Sequence, residues 1–459
     1  MKRQEFIIHL STLLILAYHP YFYRMISSED LYSLYQKFPV VCTDTRSIQK
    51  DSLFFALKGP NFNGNSFADE ALAQGAAYCV IDEPKFKKSE RYIVVEHGLK
   101  ALQDLANFHR RQLEIPFFAI SGSNGKTTTK ELIKAVLSKK FRTLATKGNL
   151  NNHIGVPLTI LSIDKSIEFA VIEMGANHQG EIESYCHIAE PDYGLITNVG
   201  KAHLEGFGGI SGVKKGKREL YHWLDEHGKK IFMNGDNGDL GEMASQIDPR
   251  KFVFYGTNQA FDTFAVLKKS QPDLVISWKS GAQQGQHTSP LIGAYNFENI
   301  IAAVAVGNYF GVEAHLIDAA ISSYSPDNSR SQRLKKGSNN IILDAYNANP
   351  SSMEAAIKNF ALLADKEKVI CIGDMAELGD ESEKEHKKIV QLLKEVPYQQ
   401  LILVGKNFNK FSSEINCVSF DNVQAASDWI RKNPIRSKTI LIKGSRSTKM
   451  EALLEAIGE

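Results

Sequence analysis

Short apolar runs that end at polar residues recur in the middle of the chain, and we interpret them as strands of a parallel sheet. The runs are Phe117–Ile120, Phe169–Ile172 and Tyr193–Thr197. Such continuous apolar runs are typical of strands that are buried on both faces. Because ligands bind outside the carboxyl ends of these strands, the polar residues that follow them, Glu173 and Asn198 among them, are predicted to share one crevice.

Strands also alternate with helices on either side of this region, which predicts an α/β fold with three domains. We place a small α/β domain at residues 25–112 and a central, P-loop ATPase-like domain with a parallel sheet at residues 113–324. A Rossmann-like domain follows at residues 325–459. The boundary before it is a linker at residues 322–329 that is rich in serine, proline, aspartate and asparagine.

The outer domains show the same kind of pattern in shorter segments. In the third domain, Ser351 and Glu354 stand at capping-box spacing and predict the start of a helix. The strands predicted in the first domain are Leu53–Leu57, Ala77–Ile81 and Tyr92–Val95. Those predicted in the third domain are Ile341–Leu343, Val369–Ile372, Leu401–Val404 and Thr439–Ile442.

The composition is that of a globular, multidomain protein. The chain has 459 residues, of which 43% are hydrophobic, enough for each domain to bury a core. Its 54 basic and 52 acidic residues give a net charge of +2, so no global field favours nucleic acid or a membrane surface. The five cysteines are widely spaced, which favours reduced thiols in the cytoplasm over a disulfide framework or a zinc site.

An apolar run near the start of the chain needs a separate explanation. The run from Phe6 to Tyr18 follows Lys2 and Arg3, as the hydrophobic region of a signal peptide would. No small-residue cleavage site follows it, and it is too short to span a bilayer. We therefore favour an N-terminal extension or a loosely attached segment at residues 1–24 over a secretion signal, and we predict a cytoplasmic protein without a membrane span.

The first central strand runs into a glycine-rich turn that is typical of triphosphate binding. Backbone N–H groups of such a loop wrap phosphate oxygens, Lys126 would reach the β- and γ-phosphates, and the Thr127 hydroxyl would bind Mg²⁺. A full Walker motif has glycine where this chain has Ile120, so a chance match in an ordinary loop is the alternative. The predicted phosphate loop comprises Gly122, Ser123, Asn124, Gly125, Lys126, Thr127 and Thr128.

The other central strands are followed by side chains suited to a metal. Glu173 would bind Mg²⁺ beside a triphosphate, although a glutamate at a sheet edge is more often solvated. His203 would be a second ligand, although a lone histidine is more often structural. The basic run at residues 214–219 is typical of a solvated face. A neutral lysine in that run would instead take up CO₂ and form a carbamate, an anion that can bind Mg²⁺.

Two further polar positions each have a structural and a functional interpretation. Asn296 and Asn299 precede an apolar helix, where they would either cap the helix or contact an adenine edge. Asp344 follows a strand, like the acidic residue that binds ribose hydroxyls in dinucleotide folds. A plain turn, rich in asparagine and proline, is the alternative for the segment that begins at Asp344.

Taken in order, the motifs resemble those of the Mur ligases along Met25 to Glu459. The motifs that carry the resemblance are residues 122–127, 146–159, 173–176, 198–204, 346–350, 373–379 and 443–446. Residues 148–152 and 346–350 resemble the branch of the family that adds D-alanyl-D-alanine. Several long motifs in one order leave chance as a poor explanation.

The resemblance implies roles for individual residues. It implies that Glu173 and His203 bind metal and that Lys217 is the lysine that relatives carbamoylate, with Lys215 as the neighbour most easily confused with it. It also implies adenine and ribose contacts at Asn296 and Asp344. The implied catalytic residues are Lys126, Lys217, His203 and Arg330, and the implied metal ligands are Thr127, Glu173, His203 and Lys217. The implied substrate contacts are Thr45, Arg46, Asn63, Asn151, Asn152, Tyr346, Asn347 and Asn349.

The implied activity is the ATP-dependent joining of D-alanyl-D-alanine to UDP-N-acetylmuramoyl-tripeptide through an acyl phosphate, with two Mg²⁺ ions and a monomeric protein. The first domain would bind the UDP-sugar and the third the dipeptide. Two departures from many relatives are Asn63-Gly64-Asn65 in place of Asp-Gly-His, and Tyr295-Asn296 in place of His-Asn. The alternatives are a sibling ligase that adds an amino acid or extends folate with glutamate, and a P-loop protein that binds ATP without catalysis.

Overall fold

A computed structural model describes residues 26–326 and 329–457. The chain divides into two compact units, the first running to Gln112 and including Ile160–Ser162. The second contains Leu113–Thr159 and the chain from Ile163 onward. The extension predicted at residues 1–24 lies outside the described residues. Within the described residues, no helix is both long enough and apolar enough to cross a membrane.

The N-terminal unit is a small parallel sheet with helices. Its four main strands are parallel in the order β1-β2-β5-β6, and β3 pairs with β4 in a short hairpin. Phe54, Cys79 and Ile81 form part of its core. The strands are β1 (Val41–Cys42), β2 (Leu53–Phe55), β3 (Lys58–Gly59), β4 (Phe62–Asn63), β5 (Tyr78–Ile81) and β6 (Tyr92–Val94). The helices are α1 (Ser28–Lys37), α2 (Ala68–Ala73) and α3 (Gly98–Arg111).

The second unit begins with a sheet of nine strands in the order β15-β14-β13-β12-β11-β10-β7-β9-β8. The strands from β13 to β8 pair in parallel, and β14 and β15 extend the sheet as an antiparallel meander. The strands are β7 (Phe117–Ser121), β8 (Thr143–Ala145), β9 (Phe169–Glu173), β10 (Tyr193–Ile196), β11 (Lys230–Asn234), β12 (Phe252–Gly256), β13 (Thr263–Lys269), β14 (Leu274–Ser280) and β15 (Gln283–Ser289).

Helices pack on this sheet and close its core. Strands β7 and β9 are buried along their whole length, as expected for central strands of a parallel sheet. The helices are α4 (Lys126–Leu137), α5 (Gly155–Leu161), α6 (Glu181–Ala189), α7 (Leu204–Phe207), α8 (Ile210–Glu226), α9 (Gly238–Ala244), α10 (Asn296–Tyr309) and α11 (Ala314–Ser323). Helix α10 is apolar almost all round because it packs against both α4 and strands of the sheet.

The C-terminal domain, in the same unit, has a six-stranded sheet in the order β16-β17-β21-β18-β19-β20. All its pairs are parallel except the edge pair β16-β17. The predicted α/β fold class is confirmed. The strands are β16 (Gln332–Lys336), β17 (Asn339–Asp344), β18 (Lys368–Gly373), β19 (Gln400–Val404), β20 (Val418–Phe420) and β21 (Thr439–Lys443). The helices are α12 (Pro350–Ala361), α13 (Ser382–Glu395), α14 (Lys406–Asn409), α15 (Val423–Lys432) and α16 (Leu453–Ile457).

The capping box predicted at Ser351 and Glu354 was wrong. Helix α12 begins two residues earlier than predicted, with Asn349 as N-cap, Pro350 at the first helical position and Ser352 at the third. The Asn349 side chain accepts from Ser352 N, and the Ser352 hydroxyl accepts from Asn349 N. Proline fits the first helical position because its missing N–H would have no partner there.

Candidate functional site

The carboxyl ends of β7, β9 and β10 meet at a cleft of about 480 Å³. Residues of the central domain line one side. The other side is lined by residues just before β16 and by residues at or after the ends of β17 and β21. The lining residues predicted from the sequence are Ser123, Asn124, Gly125, Lys126, Thr127, Thr128, Asn151, Asn152, Glu173, His203, Asn296, Arg330, Asp344, Tyr346, Asn347 and Asn349. Gly122 and Lys217 are not among the lining residues.

Two glycines allow the loop after β7 to turn tightly. Gly122 has φ 138°, and a Cβ there would lie 2.0 Å from Thr197 Oγ1. Gly125 has φ 78°, and a Cβ there would lie 2.4 Å from Asn299 Oδ1. Both positions require glycine for its freedom of backbone angle and for space. Gly122 therefore fixes the conformation of the loop by packing against Thr197, although it does not line the cleft.

The loop leads directly into α4, and the residues of the first helical turn line the cleft. Gly125 is the N-cap and has no side chain with which to cap the helix. The N–H groups of the first helical turn have no intrahelical acceptor, and the helix dipole adds positive potential there. A helix start of this kind, opening from a glycine-rich loop, is an anion-binding site.

Lys126 places a cation at the same point. Its Nζ donates to Gly122 O at 2.7 Å and to Ser123 O at 3.3 Å. Burial lowers the pKa of Lys126 to about 8, and the nearby charge of Arg330 acts in the same direction, while Glu173 and Glu377 oppose it. A phosphate group beside Nζ would stabilise the charged form and raise this pKa again.

Glu173 is a buried carboxylate, and one of its two oxygens has no hydrogen-bond partner among the described residues. The residue is 1% exposed, so the solvated edge position considered above does not apply. Its Oε1 accepts from Thr127 Oγ1 at 3.1 Å and from Asn151 Nδ2 at 2.8 Å. Its Oε2 has no hydrogen-bond partner among the described residues and lies 3.7 Å from Lys130 Nζ. A hydroxyl and a buried carboxylate with a spare oxygen are donors that suit Mg²⁺.

His203 joins the two domains at the edge of the cleft. It has a left-handed backbone (φ 54°), and its Nδ1 lies 2.5 Å from Glu377 Oε2 of the C-terminal domain. The His203 contact lowers the pKa of the Glu377 carboxyl. No group of three or more histidine, cysteine, aspartate or glutamate residues is arranged for a metal within the described residues. Mg²⁺ does not need one, because it takes one or two carboxylates together with substrate phosphates and water.

The basic run at residues 214–219 separates into exposed and buried lysines. Lys215 is exposed, and Lys214 pairs with Asp239 at 2.8 Å. Lys217 is 1% exposed, and its Nζ has no hydrogen-bond partner among the described residues. That Nζ lies 5.3 Å from the centre of the Phe207 ring. Burial lowers the pKa of Lys217 well below its usual value, and the charge of Lys126 adds to the effect, so both favour the neutral amine.

The helix cap considered for Asn296 was wrong. Asn296 begins α10, and its Nδ2 donates to Ile292 O at 2.7 Å. Its Oδ1 accepts from Asn299 Nδ2 at 2.8 Å, and Asn299 Oδ1 accepts from Thr129 Oγ1 at 3.0 Å. This buried network ties the start of α10 to α4 and places Asn296 at the cleft wall.

On the opposite wall, Asp344 is paired with a buried lysine. Its Oδ2 accepts from Lys443 Nζ at 2.6 Å, and its Oδ1 accepts from Ser331 N at 3.2 Å. Lys443 is 1% exposed and also lines the cleft, yet it was not among the predicted site residues. Its position at the end of β21, in the 443–446 motif, was the available signal.

Arg330 and the segment after β17 complete this wall. The Arg330 guanidinium lies 3.8 Å from the centre of the Tyr346 ring, and its Nε has no hydrogen-bond partner among the described residues. Asn349 Nδ2 donates to Asn124 Oδ1 of the phosphate loop at 2.8 Å. Asn347 Oδ1 accepts from Ala348 N. The cleft wall therefore touches the phosphate loop directly.

The remaining predicted contacts lie in the N-terminal unit, and none of them lines this cleft. Arg46 pairs with Asp44 at 2.6 Å and is largely exposed. Thr45 begins the short helical turn that Asp44 caps. Asn63 Nδ2 donates to Glu83 Oε1 at 2.9 Å, and Asn63 Oδ1 accepts from Asn65 Nδ2 at 2.8 Å.

A glycine-rich loop between a parallel strand and a helix, with a lysine and a hydroxyl at the helix start and a carboxylate on the next strand, defines a P-loop nucleotide-binding protein. Three family models match segments that together make up most of the chain. The Mur ligase middle domain matches residues 120–307, and the Mur ligase, glutamate ligase domain matches residues 329–446. The Mur ligase family, catalytic domain matches residues 37–110.

Individual proteins agree with the family models. The chain is 36% identical over 427 residues to the UDP-N-acetylmuramoyl-tripeptide--D-alanyl-D-alanine ligase of Escherichia coli (strain K12), covering 91% of this chain and 93% of that protein. It is similar to a crystal structure of MurF from Acinetobacter baumannii, with a TM-score of 0.81, 30% identity and coverage of 91% and 93% of the two chains. A MurF ligase from Thermotoga maritima in complex with ADP gives a TM-score of 0.79 at 25% identity, covering 91% of this chain and 97% of that one.

The chain belongs to the Mur ligase family. The family prediction made from the motifs is therefore confirmed, and so are its consequences that the protein is an ATP-dependent ligase and that its fold has a parallel-sheet central domain.

Proposed function

We propose that the chain joins D-alanyl-D-alanine to the terminal carboxylate of UDP-N-acetylmuramoyl-tripeptide, with ATP as the energy source, in peptidoglycan precursor synthesis. The observation that carries the proposal is the cleft in which the phosphate loop meets the segment at residues 346–350, the segment that resembles this branch of the family. The activity printed for the Escherichia coli relative supports it. Since ATP and UDP-linked precursors are cytoplasmic, we expect a cytoplasmic protein, and we expect it to act as a monomer.

The proposed chemistry has two steps. A carboxylate oxygen of the tripeptide attacks the γ-phosphorus of ATP, which breaks the bond to ADP and forms an acyl phosphate. The amine of the dipeptide then attacks the acyl carbon, and the tetrahedral intermediate expels phosphate. Lys126 and the first-turn N–H groups of α4 stabilise negative charge on the transferring phosphoryl group. Asn296 would contact adenine, and Asp344 would contact ribose.

The donors around Glu173 fit Mg²⁺, and we propose two ions. Thr127, Glu173 and His203 would hold them, together with Lys217 as a carbamate. A neutral amine is the form that can attack CO₂, and the buried, unpartnered Nζ of Lys217, whose pKa burial lowers, favours that form. A carbamate there would replace a nitrogen that has no hydrogen-bond partner with an anion. Bound Mg²⁺ would supply positive charge next to the phosphates.

Residues in each of the two units are proposed to bind substrate. In the N-terminal unit, Thr45, Arg46 and Asn63 would bind the UDP-sugar. In the central domain, Asn151 and Asn152 would contact substrate. The dipeptide would be bound by Tyr346, Asn347 and Asn349. Arg330, held against the Tyr346 ring, would support the transferred phosphate through its unpartnered Nε.

The acceptor test separates this function from those of sibling ligases. Phosphate release in the presence of ATP, Mg²⁺ and UDP-N-acetylmuramoyl-tripeptide should depend on D-alanyl-D-alanine. It should respond weakly to single amino acids and to glutamate, which share the amine but not the length of the dipeptide. A preference for a free amino acid would place the chain with the amino-acid-adding siblings, and phosphate release without any acceptor dependence would favour an ATP-binding protein.

The pKa of Lys126 gives ATP binding a predicted pH dependence. The amine is charged below its pKa of about 8 and attracts phosphate in that form, so affinity should fall as the pH rises through this value. For a non-hydrolysable ATP analogue, we expect weakening of up to about tenfold per pH unit above the pKa. The measurement is a titration of affinity between about pH 7.5 and about pH 9.5. The Lys126→Ala variant should bind weakly with a flat profile, and a flat profile in the unaltered protein would contradict the assignment.

A further inference from the structure

A buried carboxylate of the C-terminal domain holds the loop that follows β10. Glu385 on α13 is 3% exposed, and its Oε1 accepts a hydrogen bond from Lys201 Nζ at 2.8 Å. The same oxygen accepts from Lys388 Nζ at 2.7 Å. Lys388 lies on α13 itself, one turn beyond Glu385. Of these two bonds, the Lys201 bond therefore crosses between domains and the Lys388 bond does not.

The C-terminal domain also contacts the backbone of this loop. Lys201 N donates to Ser351 Oγ at the start of α12, at 3.2 Å. A Cβ at Gly200 would lie 3.1 Å from both Ser351 Oγ and Asn124 Nδ2, so the backbone passes closely between α12 and the phosphate loop. Two residues beyond Lys201, His203 lies at the cleft. The C-terminal domain thus holds Lys201 by both its backbone and its side chain, next to the reacting groups.

The surroundings of Glu385 keep its carboxylate charged for the cross-domain bond. Burial alone would raise the pKa of Glu385, but the bonds from Lys201 and Lys388 lower it below its usual value, so the carboxylate is charged. Because one partner is buried, water and salt screen this pair less than they screen an exposed pair. If Lys201 were lost, Lys388 would still neutralise the carboxylate. The loss would therefore remove the link between domains without leaving Glu385 unpaired.

We propose that Lys201 is a positioning residue for the ligation, because its bond to Glu385 holds the C-terminal domain closed on the central domain and sets the loop that carries His203. The kinetic consequence rests on the proposed function. The closure itself is a property of the protein that is measurable without substrate.

The test compares Lys201→Met with Lys388→Met. The two lysine side chains bind the same oxygen and are similarly exposed, 42% and 50%, so the variants differ mainly in whether the lost bond crosses domains. For Lys201→Met we expect kcat/KM for D-alanyl-D-alanine to fall by about tenfold, with the affinity for an ATP analogue changed by less than about twofold. Small-angle scattering of the unliganded variant should give a larger radius of gyration than the unaltered protein.

Lys388→Met should match the unaltered protein in kinetics and in scattering, and Lys201→Arg should keep most of the activity because it preserves the charge. Equal scattering and equal kinetics of the two methionine variants would overturn the proposal. If the unaltered protein did not ligate D-alanyl-D-alanine at all, the proposed function would fail. In that case the scattering comparison alone would decide whether Lys201 holds the domains together.

Discussion

Replacing Lys126 with alanine should lower ligation by on the order of 10³-fold or more, the loss expected when a preorganised positive group is removed from a phosphoryl transfer. The Lys126 amine lies at the start of α4, where it donates to two carbonyls of its own loop. The charge it supplies is needed most when negative charge builds up on the transferring phosphoryl group. Because the side chain packs into no apolar core, the thermal unfolding midpoint should change little.

Lys139 provides the matched control for this variant. It is an exposed lysine just beyond the other end of α4, so Lys139→Ala removes the same side chain without touching the loop. Steady-state phosphate release and calorimetry on both variants are the measurements. Near-normal turnover in a well-folded Lys126→Ala protein would contradict the assignment of residues 122–128 as the phosphate loop.

Replacing Lys217 with alanine should lower activity by at least about 100-fold if the lysine acts as a carbamate beside Mg²⁺. The structure gives this prediction a physical basis, since the amine is buried, has no hydrogen-bond partner among the described residues, and has its pKa lowered by burial. Millimolar acetate or formate should partly restore activity, because a small carboxylate can occupy the space of the lost carbamate. Rescue should require a carboxylate, whose two oxygens resemble those of the carbamate, so chloride at the same ionic strength should have no effect.

Lys215→Ala is the control, because Lys215 lies two residues away on the same helix but is exposed. It should retain full activity. A fully active Lys217→Ala with an inactive Lys215→Ala would show that the wrong lysine was chosen. An inactive Lys217→Ala that no carboxylate restores, at any concentration that the unaltered protein tolerates, would count against the carbamate.

The sequence predicted the parts of the site that depend on local pattern. Continuous apolar runs identify β7, β9 and β10, and the polar residues after them meet at the cleft because parallel strands bring their carboxyl ends together. The phosphate loop was recognisable because its glycines and lysine are consecutive. The start of α12 was misplaced because asparagine and serine can both cap a helix, and only the backbone decides between Asn349 and Ser351.

Contacts between distant segments could not be predicted in the same way. Lys443 pairs with Asp344 across neighbouring strands, and Glu377 reaches His203 from another domain. These pairs depend on tertiary packing, to which local spacing gives no guide. The burial of Lys217 is a similar case, since the basic run around it favours solvent and only the packing of α8 shows which lysine is enclosed.

The most direct test of the account uses UDP-N-acetylmuramoyl-tripeptide labelled with ¹⁸O in its terminal carboxylate. If that carboxylate attacks ATP and phosphate is expelled by the dipeptide amine, one labelled oxygen leaves with each phosphate, and the peptide product gains one D-alanyl-D-alanine per ATP consumed. Mass spectrometry of phosphate and product reads both quantities in one reaction. Unlabelled phosphate, or ATP hydrolysis without a lengthened peptide, would contradict the account.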